Sequence, residues 1–291
     1  MQVHEDSQIM TAWVLWKLRN NGIKKVLYQG MYSNYTYLNR LYQIIFELLF
    51  KKIIQLNANY IIAKTMMAKE YLERKGFQNI SVLPIGLDIN KEEKGCLHKE
   101  SLNIFRKQYK KVLLYIGKIE KRRNPRFLID VLSSLRNENH LNYGLIIVGD
   151  GPLMNLITVY SQNNNVKQHI LHIRSLPNSE IKEVYKNSDL FLLPSNNEIY
   201  GMVVIESLYY GIPVISTSMA GPVDIIQNEN LGYCLPLKKK LWVDKIIERL
   251  SKNETLLDKE QRKKYIIDNY DLRMVANEYL KILRINENSS N

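Results

Sequence analysis

The chain has 291 residues, enough for two domains, and its 45% hydrophobic and 24% charged residues exclude a disordered, collagen-like or disulfide-scaffold protein. Its 41 Lys and Arg exceed its 29 Asp and Glu, and the net charge of +12 favours nucleic acid, anionic lipid or phosphorylated small molecules as partners without choosing among them. The two cysteines, Cys96 and Cys234, lie far apart with no Cys-x-x-Cys pair, so neither a zinc site nor a disulfide is predicted.

No secretory signal is expected at the start of the sequence, because residues 1–6 include neither a basic segment nor an apolar one. The longest apolar run, around residues 41–50, contains Glu47 and is shorter than the roughly 18–20 residues of a membrane-spanning helix. A cytoplasmic protein is therefore expected.

An α/β unit is predicted at the start of the chain. Residues 25–28, 60–63 and 80–83 are predicted strands, residues 66–75 a helix, and no strand is predicted before residue 25. The polar segment 84–99 lacks a regular period, so we place the interdomain linker there. The predicted domains are residues 1–92 and 93–270, and residues 271–291 form a C-terminal helix and tail.

From residue 111, short apolar runs alternate with amphipathic segments of helical length. The predicted strands are residues 112–116, 144–148, 169–173, 190–193, 213–216 and 232–235. The predicted helices are residues 125–136, 152–163, 179–187, 201–210 and 222–227. Strands that are apolar throughout are typical of sheets covered on both faces, so the pattern predicts a doubly wound parallel sheet.

The loops that follow strands in such a sheet are where ligands bind. The first loop, residues 117–125, carries Lys118, Lys121, Arg122 and Arg123, which favours an anion site over a solvated turn. The blocks at residues 238–240 and 262–264 are also basic, and a solvent-exposed helix face is the favoured interpretation for both.

The loop at residues 149–152, Gly-Asp-Gly-Pro, is only part of a dinucleotide fingerprint. Met154 occupies the position of the third glycine. We interpret this loop as a tight turn that lines a cleft, rather than as a phosphate-binding loop.

The segment 194–213 has the most specific pattern of the chain. Glu206 lies in an otherwise apolar helix, where an unpaired carboxylate is costly, so it must have a donor partner; a purely structural partner is the simpler alternative. Glu198 lies in the loop before that helix, and the helix amino end at residues 200–203 presents N–H groups suited to phosphate. Two hydroxyl-accepting carboxylates beside an anion site match a nucleotide with a sugar attached.

This segment resembles the E-x7-E region of the GT-B glycosyltransferases of family 4. Gly117-Lys118 is similar to that family's Gly-Arg, Arg123-Asn124 to its Lys-Gly or Lys-Asn, and residues 149–152 to its glycine-rich turn. Residues 81–88, 189–195 and 211–215 are similar to further stretches of the family, and all of these lie within residues 60–285.

The resemblance implies a GT-B fold with a complete C-terminal doubly wound parallel sheet and an incomplete N-terminal Rossmann-like domain. It implies a retaining, metal-independent transfer of sugar from a nucleotide-sugar donor to a cell-surface polysaccharide or glycolipid precursor. Glu198 would contact hydroxyl groups of the donor sugar, as the residue implied for catalysis, and Glu206 would accept the ribose hydroxyls. Lys118 and Arg123 would neutralise the departing diphosphate. The remaining donor-binding residues would be Gly117, Tyr200, Gly201, Met202 and Val203.

No Asp-x-Asp sequence occurs, so cations must replace a metal at the diphosphate, and no metal or other cofactor is expected. His169 and His172 stand three residues apart on a predicted strand, so their side chains point to opposite faces and are not expected to share a metal ion.

Two features differ from the family pattern. The N-terminal unit is short and has no glycine-rich acceptor loop, and residues 25–28 are followed by Gln29-Gly30 where many members have a histidine. The alternative function is therefore a truncated nucleotide-sugar-binding module that does not transfer sugar on its own, and a second polypeptide would complete its domain.

The acceptor would be a saccharide or a lipid-linked molecule. A basic protein without a spanning helix suits peripheral contact with the inner face of an anionic membrane. A nucleic-acid partner is not expected, because the positive charge is not gathered into one stripe.

Overall fold

The computed structural model describes residues 1–6, 8–32, 37–90, 95, 97–138 and 142–285, and the chain divides into two compact units. Unit 1 contains Met1–Gly86 and the C-terminal segment from Leu272, and unit 2 is Leu87–Asp271. The chain thus enters unit 2 before the predicted boundary at residues 92 and 93, because the Leu87 N–H bonds to the Tyr270 carbonyl at 2.7 Å. The last helix belongs to unit 1, where Val275 packs in the core.

Unit 1 is built on a parallel sheet of four strands in the order β1-β2-β3-β4. Its elements are β1 (Gln2–His4), α1 (Ile9–Lys17), β2 (Val26–Gln29), α2 (Tyr37–Asn57), β3 (Tyr60–Ala63), α3 (Met66–Arg74) and β4 (Ile80–Val82). Alternate strand residues such as Leu27 and Ile61 pack with α1 and α3, whereas Val26 and Ile62 pack with the C-terminal helix. Both faces of this sheet therefore carry an apolar core.

The expectation that no strand precedes residue 25 is wrong. Gln2, Val3 and His4 pair in parallel with Val26, Leu27 and Tyr28. This strand is only three residues long, and only its central Val3 is buried, so it has no apolar run that a sequence pattern could detect.

Unit 2 is built on a parallel sheet of six strands in the order β10-β9-β8-β5-β6-β7. Its first half contains α4 (Lys99–Gln108), β5 (Lys111–Ile116), α5 (Pro125–Glu138), β6 (Tyr143–Val148), α6 (Met154–Asn163), β7 (Ile170–Ile173) and α7 (Ile181–Lys186). Its second half contains β8 (Leu190–Leu193), α8 (Met202–Tyr209), β9 (Val214–Thr217), α9 (Ala220–Ile225), β10 (Gly232–Leu235), α10 (Lys239–Ser251) and α11 (Leu256–Tyr270); α12 (Leu272–Ile285) follows in unit 1.

The doubly wound parallel sheet is confirmed. Each predicted strand overlaps an observed one, although His169 lies in a short 3-10 turn before β7. Strands β6, β8 and β9 are buried along their whole length, as their apolar runs predict. The strand order reverses between β5 and β8, and ligands of such sheets bind in the crevice outside the carboxyl ends of the strands at this point.

The interpretation of residues 262–264 as an exposed helix face is wrong for Arg262, which is fully buried. Its Nε donates to the Gly211 carbonyl at 3.0 Å, its Nη1 donates to the Asn230 side chain at 2.7 Å, and its Nη2 pairs with Glu254. The guanidinium group has enough donors to satisfy the turns around it, which explains how a cation can be buried here.

Candidate functional site

The loops after β5 and β8 lie side by side where the strand order reverses. The Asn196 N–H donates to the Arg122 carbonyl at 2.7 Å, and Asn124 Nδ2 donates to the Pro194 carbonyl at 2.7 Å. Asn124 has a φ of 48°, in the left-handed region that glycine and asparagine tolerate best. A residue suited to this conformation therefore stands where the resembled family has glycine or asparagine.

Two of the predicted site residues, Arg123 and Glu198, form an ion pair across these loops. Their side chains are only 16% and 10% exposed, and Arg123 Nη1 also donates to Ser195 Oγ at 3.0 Å. Burial and the neighbouring positive charge of Arg122 lower the pKa of Arg123. Because removing two charges from water offsets much of their attraction, this pair fixes position more than it adds stability.

Arg123 also has a buried hydrogen-bond donor, its Nε. Within the described part of the chain, this Nε has no hydrogen-bond partner. Unsatisfied buried donors are rare in folded proteins, and this one calls for an explanation.

Lys118 is more exposed than Arg123, with 63% of its side chain accessible, and its Nζ lies 3.7 Å from Glu120. Gly117, immediately before it, has a φ of 154° and lets the chain leave β5. Lys118 is therefore positioned by a surface contact, in contrast to Arg123.

The glycines of the turn at residues 149–152 bring it against the first loop. A side chain at Gly149 would collide with the Gly117 carbonyl, and one at Gly151 would collide with the Ile119 carbonyl. The Ile119 N–H donates to the Asp150 carbonyl at 2.9 Å. These contacts favour the interpretation of this segment as a structural turn beside the cleft.

The amino end of α8 has no side-chain cap among the described residues. Gly201 precedes it with a φ of 81°, and Met202 and Val203 begin the helix half-buried. Tyr200 is buried, and a side chain at Gly221 would collide with its backbone. The first N–H groups of α8 thus lie at the edge of the sheet where an anion would be stabilised.

Glu206 lies one turn further along α8 and lines a pocket of about 220 Å³. The other lining residues are Leu87, Asp88, Ile89, Asn178, Ile181, Met202, Tyr209 and Tyr210. Glu206 Oε2 accepts a hydrogen bond from the Tyr185 hydroxyl at 3.2 Å, which confirms that this carboxylate has a donor partner. A pocket that holds the carboxylates of Asp88 and Glu206 is unfavourable for a phosphate and suits a group rich in hydroxyls.

Sequence reasoning missed Asp88 and Asn178, which line this pocket, and Tyr185, which lies behind it and donates to Glu206. Asp88 stands in a segment that resembles the family, and Tyr185 lies in a predicted helix, but neither stands out chemically. Only the fold brings them to Glu206, because they come from separate elements.

A larger cavity of about 650 Å³ lies in unit 1, lined by residues such as Asn59, Lys69, Glu73 and Asn79. It surrounds the start of β3 and β4, whereas ligands of open α/β sheets bind at the carboxyl ends of the strands. We therefore keep the candidate site in unit 2.

The two histidines have separate hydrogen-bond partners: His169 Nδ1 lies 3.0 Å from the Tyr109 hydroxyl, and His172 Nε2 lies 2.8 Å from the Gly149 carbonyl. Over the residues that the structure describes, no group of three or more His, Cys, Asp or Glu side chains is arranged to hold a metal ion. None of the described helices is both long and apolar enough to cross a membrane.

Residues 98–271 match the sequence model of the family described as glycosyl transferases group 1. The chain belongs to this family. The match contains both strand-end loops, the helix α8 and Glu206.

Curated relatives include the UDP-Gal:alpha-D-GlcNAc-diphosphoundecaprenol alpha-1,3-galactosyltransferase of Escherichia coli, 28% identical over 189 residues, which are 60% of this chain and 48% of that protein. The N-acetyl-alpha-D-glucosaminyl L-malate synthase of Bacillus anthracis is 26% identical over 163 residues, 54% of this chain and 42% of that protein. The chain therefore spans about half the length of the curated relatives that it matches.

Solved structures share the fold at low identity. HepE of Anabaena, in complex with UDP and glucose, has a TM-score of 0.78 at 14% identity, and the match covers 97% of this chain and 77% of HepE. The sucrose-phosphate synthase of Thermosynechococcus elongatus has a TM-score of 0.77 at 17% identity, with 96% and 72% covered. These likenesses identify the GT-B glycosyltransferase fold.

Proposed function

We propose that this protein is a retaining, metal-independent glycosyltransferase that takes a sugar from a nucleotide-sugar donor. One observation carries the proposal: a single helix, α8, has an uncapped amino end, follows the loop whose Glu198 pairs with Arg123, and places Glu206 in a pocket that also holds the Asp88 carboxylate. Met202, the first residue of α8, lines the same pocket as Glu206, so the anion site and the hydroxyl site adjoin. A nucleoside diphosphate likewise joins a diphosphate to a ribose that carries hydroxyl groups.

In the proposed complex, Glu206 and Asp88 accept hydrogen bonds from the ribose hydroxyl groups. Glu198 accepts hydrogen bonds from hydroxyl groups of the donor sugar. The N–H groups of Met202 and Val203, with Lys118 and Arg123, surround the diphosphate. Arg123 contributes its positive charge to this group while it keeps its contact with Glu198.

Positive charge that is fixed in advance stabilises the leaving diphosphate as negative charge develops on it. Lys118, Arg123 and the α8 amino end supply this charge from the protein itself. The mechanism that we propose therefore requires no metal ion and no other cofactor.

The acceptor that we propose is a saccharide or lipid-linked precursor of a cell-surface polysaccharide or glycolipid. Family membership supports this proposal, as does the diphosphoundecaprenol-linked substrate in the name of the E. coli relative. The net charge of +12 supports peripheral contact with the inner face of an anionic membrane by a protein that resides in the cytoplasm.

The alternative is a nucleotide-sugar-binding module that needs a second polypeptide for transfer. Unit 1 favours this alternative, because β1 is the edge strand of its sheet and Trp13 and Trp16 of α1 are exposed. A partner that adds a strand and a helix would cover both features.

Thermal unfolding in the presence of UDP-, GDP- and ADP-sugars tests the proposed donor site. A ligand at 100 times its dissociation constant stabilises a folded protein by about 2.7 kcal/mol, which is readily measured. We expect one nucleotide series to raise the melting temperature equally with and without EDTA. If none does, the donor site is refuted; a strict magnesium requirement refutes the metal-free mechanism.

Turnover by the purified chain separates the two candidates. Release of the nucleotide with transfer of sugar to a saccharide or lipid-linked acceptor supports the enzyme. Binding of the donor without turnover supports the module, provided that a second polypeptide restores turnover.

A further inference from the structure

Tyr185 of α7 is a fully buried tyrosine whose hydroxyl group reaches the candidate site. Its ring stacks on Tyr210, with the ring centroids 5.0 Å apart and the planes inclined by 20°, and it lies 6.5 Å from the Phe191 ring of β8. Both contacts restrict the ring. The hydroxyl that donates to Glu206 Oε2 is thus held in place before any ligand arrives.

The Tyr185 hydroxyl is a permanent donor. Burial, together with the nearby negative charge of Glu206, raises the pKa of Tyr185 well above its usual range. The group therefore stays protonated around neutral pH and can donate to the Glu206 carboxylate.

Glu206 lines the pocket, whereas Tyr185 is not among the residues that line it. A carboxylate has two oxygens and can accept about four hydrogen bonds. It can therefore be held by Tyr185 from the protein interior and accept hydroxyl groups from the pocket at the same time.

We propose that Tyr185 is a positioning residue for ribose recognition: it orients the Glu206 carboxylate toward the ribose hydroxyls and so sets the preference for ribonucleotides over deoxyribonucleotides. This inference rests on the proposed function. It assigns Tyr185 a role that is exerted through Glu206, without contact with the donor.

A purely structural role would have a different consequence. If Tyr185 only supplied a donor to the buried carboxylate, its loss would lower the stability of the protein and weaken the binding of all nucleotides equally. Selective loss of ribonucleotide affinity separates the two roles, because a 2′-deoxynucleotide lacks one of the hydroxyls that Glu206 would accept.

The test compares dissociation constants, measured by titration calorimetry, for the tightest of UDP, GDP and ADP and for its 2′-deoxy counterpart. For Tyr185→Phe we expect about a tenfold loss of ribonucleotide affinity and less than about a twofold loss for the deoxynucleotide. The matched control is Tyr160→Phe, which removes another tyrosine–carboxylate bond of unit 2, 2.6 Å long, to Asp130. It should change neither constant.

Equal losses for both nucleotides, or no loss, would overturn the role of Tyr185 while the donor site stands. If the parent chain binds none of the three nucleotides, the proposed function fails and this inference fails with it. Should Tyr185→Phe not fold, the double variant Tyr185→Phe/Glu206→Gln removes the buried charge as well. Its ribonucleotide and deoxynucleotide constants should equal those of Glu206→Gln alone, and a difference would overturn the inference.

Discussion

At the scale of single residues, the site divides into side chains whose chemistry is visible in the sequence and side chains that only the fold recruits. Glu206 could be singled out because a carboxylate in an apolar helix is costly. Asp88 and Tyr185 could not, since an aspartate in a polar segment and a tyrosine in a helix are ordinary there. The pairing of Arg123 with Glu198 was also beyond sequence reasoning, which assigned them to different parts of the donor.

The exposed cation Lys118 should act on phosphate alone. We expect Lys118→Ala to weaken the binding of a nucleoside diphosphate roughly tenfold, which is the effect of losing one hydrogen bond to a charged group. The binding of the nucleoside should not change. Calorimetric titration with both ligands measures the contrast. Lys121→Ala, in the same loop with the same change of charge, is the control and should change little.

Arg123→Ala should show the same contrast more strongly, but it also removes the partner of Glu198. Circular dichroism must therefore accompany the titration. Equal losses for the nucleoside and its diphosphate would mean that the loop has collapsed, and this would contradict the assignment of both cations to phosphate.

Asn124 combines a left-handed backbone with side-chain bonds to the neighbouring loop. Asn124→Gly keeps the backbone and should lower the free energy of unfolding by about 1 kcal/mol, through the lost hydrogen bonds. Asn124→Ala adds backbone strain of about 1–2 kcal/mol and should cost more. Urea unfolding measures the order, and an alanine variant as stable as the glycine variant would contradict it.

At the scale of elements, the helix α11 begins with a reciprocal capping box. Thr255 Oγ accepts from the Asp258 N–H at 3.1 Å, and Asp258 Oδ2 accepts from the Thr255 N–H at 2.8 Å. The hydrogen bonds from the Thr255 backbone and hydroxyl lower the pKa of Asp258. We expect Thr255→Ala to reduce the free energy of unfolding by about 1 kcal/mol at pH 7.

The same box predicts a dependence on pH. The pKa of Asp258 is lower in the folded state than in the unfolded state. The stabilisation by its carboxylate is therefore present above the unfolded pKa of roughly 3.9 and is lost as the pH falls through the folded pKa. The difference between parent and Thr255→Ala should therefore shrink from pH 7 to pH 3 in urea unfolding. Thr158→Ala removes a hydroxyl that bonds within α6 and should show no such trend.

The elements of unit 2 were largely predictable, since strands such as β6 and β8 are continuous apolar runs between helix-length segments. The three-residue strand β1 was not, because pairing with β2 and not its own pattern makes it a strand. Arg262 is an exception to the expectation that a basic block lies on an exposed helix face. Its guanidinium group is buried because it donates hydrogen bonds to turns that are distant in sequence.

At the scale of the whole molecule, the described residues that we assign to the donor site all belong to unit 2. Unit 2 has its own core, centred on residues such as Leu113, Leu145 and Trp242. The chain enters and leaves it at paired positions, since Leu87 forms a parallel bridge with Asp271. These features favour a unit that folds on its own.

We therefore expect residues 87–271, produced alone, to fold and to bind the nucleotide with a dissociation constant within about twofold of that of the full chain. Saturation at 100 times this constant should raise the free energy of unfolding of both by about 2.7 kcal/mol. The fragment carrying Glu206→Gln is the control, because it keeps the fold and removes the carboxylate that is assigned to the ribose. A fragment that unfolds cooperatively yet does not bind would mean that unit 1 supplies part of the donor site, which would contradict the assignment of the site to α8 and the loops after β5 and β8.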